Sequence, residues 1–221
     1  MKRNIALACL LSFIGLASSA QIINAQGNNL QDFNGKPIMS TKVSETEGNY
    51  FVDENYQKAI MVLANGKQLP DMKVKLDLKN NKVYYINEEG AEMEAVTKVK
   101  RIVFTDKGTV FENGFPAVNK QDQGTFYKVI ISGKASLLSL TQILESEYKE
   151  FNSATTTKRI DKVTEIYGAS PNAITRLSKE EDVIQLLADK KKEVYGYIVK
   201  NNLKCKKQVD YENIINYYNA L

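Results

Sequence analysis

The spacing of apolar positions changes character twice along the chain. Residues 21–49 hold only scattered anchors (Ile22, Ile23, Leu30, Phe33, Ile38) among Asn, Gln, Gly, Ser, Thr and Glu. So polar a stretch buries too little apolar surface to offset its chain entropy, and it reads as a flexible leader. From residue 50 to 177 the pattern is that of strands. Val74, Leu76 and Leu78 alternate with Lys73, Lys75, Asp77 and Lys79, the period of two expected of a half-buried strand. Asn80-Asn81 breaks the run and residues 82–86 resume it, which predicts a hairpin. Turn pairs recur at Asn65-Gly66, Glu89-Gly90, Lys107-Gly108, Asn113-Gly114 and Ser132-Gly133, and between them lie apolar or β-branched runs at 60–63, 99–105, 126–131 and 137–144. The stretch 137–149 fits either a strand or a helix through Leu140, Ile143 and Leu144; the strand is favoured. Residues 160–167 and 173–177 flank Gly168-Ala169-Ser170-Pro171 as a last hairpin. A βαβ fold would need helical patterns between these runs, and none is present.

After Leu177 the period becomes helical. Ser178 and Glu181 have the S-x-x-E spacing of a capping box, followed by the stripe Val183, Leu186 and Leu187. Val194, Tyr197 and Ile198 mark a second helical stretch, in which Gly196 costs about 1 kcal/mol relative to alanine, and Asn201-Asn202 ends it. For the last helix Asp210 is the expected N-cap, with Val209 and Ile214 as a hydrophobic staple and Tyr211, Ile214, Ile215, Tyr218 and Leu221 on one face. The expected class is therefore α+β: an antiparallel β-rich meander or partly closed barrel, with two to three C-terminal helices packed on it. The expected organisation is a targeting segment 1–20, a leader 21–49, a β-rich domain 50–177 and a docked helical segment 178–221.

The first twenty residues account for the targeting segment. Lys2 and Arg3 precede an uncharged apolar run from residue 5 to 17, and Ser18 and Ala20 place small side chains three and one positions before a cut ahead of Gln21. This is the pattern of a secretory signal peptide, and the run is shorter than the roughly 20 residues of a membrane span. Nothing apolar extends it, which disfavours an uncleaved anchor. Cys9 sits inside the run with only its first four residues before it, too few for it to be a lipidated first residue. Cleavage removes two cations, so the formal net charge falls from +4 to +2.

Composition then narrows the chemistry. The 221 residues include no histidine, which excludes His-based nucleophile systems, imidazole zinc sites and imidazole proton shuttles. Only Arg3, Arg101, Arg159 and Arg176 are arginine among thirty basic residues; near-neutral charge and few bidentate guanidinium groups give no reason to expect a nucleic-acid partner. Cys205 is the one cysteine left after processing, so no intrachain disulfide forms, and its lysine neighbours 204, 206 and 207 would activate the thiol only if close in space.

Motif by motif, the sequence favours structure over catalysis. Gly133-Lys134 lacks both the first glycine and the hydroxyl residue of a phosphate loop. Asp77 and Glu88 have calcium-loop spacing, yet Lys79 and Lys82 stand where an oxygen ligand and the turn glycine belong. The carboxylate groups Asp53-Glu54, Glu88-Glu89 and Glu180-Glu181-Asp182 could serve glycoside hydrolysis without histidine, but two of them sit in turns and the third in a helix's first turn, where negative charge complements the dipole. Ser132 with Lys134 has no distinguishing context, and Lys190-Lys191-Lys192 reads as a solvated helix face. Tyrosines 84, 85, 195, 197, 211, 217 and 218 combine apolar area with a polar tip and are read as packing where helices meet the sheet. No catalytic, cofactor or metal residues are assigned, and no cofactor is expected.

The lysine-rich stretch 190–198, Leu203-Lys204, Asp210, Ile214-Ile215, Tyr217-Tyr218-Asn219 and Leu221 resembles the C-terminal segment of uncharacterised secreted proteins of Bacteroidota-type bacteria. The resemblance covers mainly the last forty residues and implies export without implying an activity. The expectation is an exported, non-catalytic binding protein of the periplasm or cell envelope whose partner is an envelope protein or an apolar ligand, with no membrane span after processing. The alternatives are a carrier of an apolar ligand or lipid, and a His-free carboxylate-dependent envelope hydrolase.

Overall fold

The structure, a computed structural model, describes residues 29–31, 37–39, 44–151, 155–171 and 173–221. The expected targeting segment 1–20 lies outside the described residues. Within 1–43 a short antiparallel ladder joins β1 (Asn29–Gln31) to β2 (Pro37–Met39), pairing Asn29 with Met39 and Leu30 with Ile38.

Residues 44–221 form the second unit, an α+β body built on one mixed eleven-stranded sheet that does not close, with three helices at its C-terminal end. Its strands are β3 (Ser44–Glu47), β4 (Gln57–Leu63), β5 (Gln68–Asp77), β6 (Lys82–Ile86), β7 (Glu92–Glu94), β8 (Val99–Phe104), β9 (Thr109–Glu112), β10 (Tyr127–Ile131), β11 (Ser136–Tyr148), β12 (Thr156–Ser170) and β13 (Ala173–Arg176). Strands β4 to β7 run outward as a meander. The chain then doubles back through residues 95–98, and β8 pairs with the free side of β4. From β8 to β13 the meander runs the other way. Strand β3 breaks the antiparallel rule by pairing in parallel with the start of β12. The polar segment 21–49 thus contributes its last residues to the sheet.

The alternation seen in 74–78 marks the inner face: Val74 and Leu76 are fully buried with Ala59, Met61, Ile102 and Phe104. Asp77, expected to face outward, is only 4% exposed. Its Oδ1 accepts from the N–H groups of Lys79 (2.8 Å) and Asn80 (3.0 Å), and its Oδ2 from Asn80 Nδ2 (2.8 Å). A carboxylate closing its own turn in this way stabilises the β5–β6 hairpin.

Three extra residues bend the sheet, each by putting two residues opposite one, which kinks a strand and strengthens its twist. One lies at Pro70-Asp71 in β5, where Asp71 takes φ 53°. The second is at Lys100 in β8 and the third at Ile130 in β10. The last sends both Ile130 and Ile131 against the helices, which a regular pleat would not. The stretch 137–149 is strand as far as Tyr148, as favoured, and β11 pairs along its whole length with β12. Leu137 faces the helices while Leu138 and Leu140 pack with Tyr127, Tyr167 and Ile174 on the opposite face.

The helices are α1 (Glu180–Leu186), α2 (Lys191–Lys200) and α3 (Gln208–Ala220), with a 3-10 turn at Ala188–Lys190 separating the first two. Val183, Leu187, Val194, Ile198, Tyr211, Ile214 and Ile215 pack on Leu137 as one core. The start of α1 is capped one residue later than expected: Asp182, not Glu181, accepts from the N–H groups of Ser178 (2.9 Å) and Lys179 (3.1 Å) and from Ser178 Oγ (2.8 Å). Helix α3 likewise starts at Gln208, and Asp210 is its third residue rather than its N-cap, its Oδ2 accepting from Lys206 N–H at 3.2 Å. Val209, offered for a staple, is half exposed. Asn201-Asn202 does end α2. Asn202 takes φ 51°, its N–H donates to Val199 O and that of Leu203 to Ile198 O, the paired bonds of a Schellman close.

Candidate functional site

The doubling-back of the chain between β7 and β8 leaves an open cleft of about 490 Å³, within the range of about 300–1,000 Å³ that holds small-molecule ligands. Its walls come from four places: the end of β4, the start of β6, residues 95–100, and the ends of the β9–β10 connection. Curling of the sheet brings these together. Asn81, at φ 53° in the β5–β6 turn, accepts from the N–H of Phe126 through its Oδ1 at 3.0 Å, fixing one wall to another. Asn113 Nδ2 donates to Val99 O at 2.9 Å, and Gly114 N–H to Gln123 O at 2.8 Å.

The lining mixes apolar residues with basic and amide ones. Lys82, Lys98, Lys100, Asn81, Asn113, Gln123 and Thr97 are among the lining residues, beside Val83, Val99 and Phe126. Val99 and Lys100 are consecutive and both line the cleft. A regular strand would send them to opposite faces, and the extra residue at Lys100 removes that constraint. No aspartate or glutamate is among the lining residues. The carboxylates closest in sequence are each engaged with another group, Glu94 with one of the lining lysines. Glu94 pairs with Lys82 Nζ at 2.9 Å, which raises the lysine's pKa. Glu112 is held by Arg101 through its Nε at 2.8 Å and also its Nη2. Asp122 Oδ1 accepts from Gly124 N–H at 2.9 Å and from the Thr125 hydroxyl. Among the described residues Lys98 and Lys100 have no carboxylate within ion-pair distance.

The clusters weighed in the sequence do not come together here. Asp53 and Glu54 belong to a turn: Asp53 accepts from Asn55 N–H and pairs with Lys107 at 3.2 Å, and these hold its carboxyl below the ordinary range, while Glu54 accepts from Asn49 at 2.6 Å. Glu88 and Glu89 are exposed in the β6–β7 turn, and Glu180, Glu181 and Asp182 form the first turn of α1. Ser132 and Lys134 are exposed in the β10–β11 turn. Cys205 is fully buried, and burial pushes its thiol up to about 11, so its lysine neighbours do not activate it. Several tyrosines pack between helical elements rather than between helices and sheet: Tyr197 of α2 stacks on Tyr217 of α3 with ring centres 4.1 Å apart, and the Tyr218 hydroxyl donates to Asp189 of the 3-10 turn. Among the described residues no group of three or more Cys, Asp or Glu could hold a metal ion, and no helix is long and apolar enough to cross a membrane.

A second polar cluster lies where the β5–β6 turn meets the β11–β12 hairpin. Glu145 accepts from Lys79 Nζ (2.7 Å), from the Tyr50 hydroxyl and from Lys158 Nζ (2.9 Å), which together bring its carboxyl down to about 2. With every member satisfied by another, this group is a clamp between two hairpins. No family model, curated protein or solved structure matches the chain. The β7–β8 return and the bulge bring the cleft residues together; in the sequence Asn81 and Asn113 stand out only as turn residues and Lys82 only within the Asp77–Glu88 spacing, and Lys98, Lys100 and Gln123 carry no signal of their own.

Proposed function

We propose that this is an exported, non-catalytic binding protein of the periplasm or cell envelope, and that it holds its ligand in the cleft between β7 and β8. Export rests on the signal-peptide pattern of residues 1–20. The observation that carries the binding reading is the lining: three lysines, three amides and a hydroxyl around about 490 Å³ of open space. Such groups bind and orient a polar ligand. The paired carboxylates that glycoside hydrolysis requires, about 5–9 Å apart across a cleft, have no counterpart among the lining residues. A carrier of lipid would use an enclosed apolar chamber, whereas this cleft is open and its rim is cationic.

The test is purification from the native envelope followed by mass spectrometry of what co-purifies. A ligand retained in near-stoichiometric amount and released unchanged on denaturation is the expected result. Retention of nothing, or turnover of an envelope glycan by the purified chain, overturns the proposal.

A further inference from the structure

The cleft has a charge character that goes beyond binding as such. Lys98 ends the β7–β8 return and Lys100 lies two residues on in β8, both lining the cleft, and the carboxylates closest to them in sequence are committed to Lys82, Arg101 and the Gly124 backbone. Ammonium groups without a counter-ion in a shared concavity attract an anion, since field lines are focused where low-dielectric walls surround like charges. Beside them lie both kinds of hydrogen-bonding group. Asn81 has its Oδ1 occupied by Phe126 N–H, which leaves its Nδ2 to donate. Asn113 has its Nδ2 occupied by Val99 O, which leaves its Oδ1 to accept. Gln123 and the Thr97 hydroxyl can do either. Alternating donors and acceptors suit hydroxyl groups, each of which also does both, and the apolar floor of Val83 and Val99 suits the C–H face of a sugar ring.

We infer, on the basis of the binding reading above, that the ligand is an anionic saccharide whose negative group sits between Lys98 and Lys100 and whose hydroxyls meet Asn81, Asn113 and Gln123. Lysine holds an anion as a point charge without the planar fork of arginine, so the two lysines do not choose between a carboxylate and a phosphate ester, and the test separates the two.

Calorimetric titration and amide-resolved NMR of the purified chain use three probes: digalacturonate, glucose 6-phosphate and neutral maltose. At least one of the two acidic probes binds, shifts the amide resonances of Lys98, Lys100 and Gln123, and weakens as salt is raised. Maltose binds at least roughly tenfold more weakly, and the K98Q/K100Q double variant lowers acidic-probe affinity by roughly tenfold, while K192Q, on the exposed face of α2 and no part of the cleft lining, leaves it unchanged. Which acidic probe binds tells carboxylate from phosphate. Maltose binding as tightly as the acids, or acidic binding indifferent to K98Q/K100Q, overturns the anionic assignment and leaves the cleft as a binding site. No shift of any cleft resonance with any probe overturns it too, and a ligand recovered from the envelope that contacts a different surface removes the cleft reading itself.

Discussion

Asn219, near the end of α3, holds that helix to the β10–β11 turn as a neighbouring strand would. Its Oδ1 accepts from Ala135 N–H at 2.9 Å and its Nδ2 donates to Ala135 O at 2.9 Å. Ala135 is fully buried, so replacing Asn219 by alanine leaves two backbone groups unpaired, each costing about 1–3 kcal/mol. The adjoining turn is exposed and admits some water, which places the loss at about 2–4 kcal/mol in total. Gly133 makes the same point from the other side. A Cβ added there would lie 2.4 Å from Asn219 Nδ2 and 2.6 Å from its Cγ, so Gly133→Ala must expel the amide and forfeit the same two bonds. Each single variant therefore costs about 2–4 kcal/mol, and the double variant costs about as much as one of them, not the sum. Urea unfolding followed by far-ultraviolet circular dichroism, with all four proteins of the cycle, measures this directly. Single effects that add within about 0.5 kcal/mol, or a Gly133→Ala variant as stable as the parent, would refute the reasoning.

Other expectations concern the clamp, the buried thiol and the close of α2. The depressed carboxyl of Glu145 favours the folded state above its ordinary pKa, and that contribution is lost as pH falls toward about 2. Urea midpoints of the parent and Glu145→Gln should therefore differ most above about pH 5 and converge near pH 2; a gap independent of pH would contradict the clamp. Cys205, buried with its thiol raised to about 11, should react with a thiol reagent at pH 8 at least roughly a hundredfold more slowly than in the unfolded chain, and immediate labelling of the native protein would show the site to be open. At Asn202, with φ 51°, glycine should match or exceed the parent in thermal stability, while alanine should lose about 1 kcal/mol; equal stability of the two would argue against the left-handed close.

What could be read in the sequence follows the physics of each element. The alternation at 74–78 was legible because β5 buries one face there. The stretch 137–149 was ambiguous because the first part of β11 is covered on both sides, by the helices over Leu137 and by Tyr127 and Tyr167 over Leu138 and Leu140, so its apolar residues run together without a period, while Leu144 further along is half exposed. The helix stripes were visible, but the capping residues were misplaced by one to three positions, because a carboxylate at the third helical residue can satisfy the N-terminal backbone as well as a cap can. Strand β3 was hidden in a polar segment: its pairing with β12 is made by backbone groups, and Glu45, Thr46 and Glu47 stay exposed. The cleft was illegible for a different reason. Thr97, Lys98 and Lys100 look like any solvated strand end, and only the bulge at Lys100 and the return from β7 to β8 gather them with Asn81, Asn113 and Gln123.

The central claim is that this chain acts through that cleft, and position-specific photo-crosslinking tests it most directly. Val96 lines the cleft and is 97% exposed, whereas Phe151, 96% exposed, lies at the tip of the β11–β12 hairpin and lines no part of it. A photoreactive phenylalanine derivative placed at either position and irradiated in the native envelope should yield a discrete adduct at 96 and none at 151. Adducts at 151 with none at 96 would contradict the account.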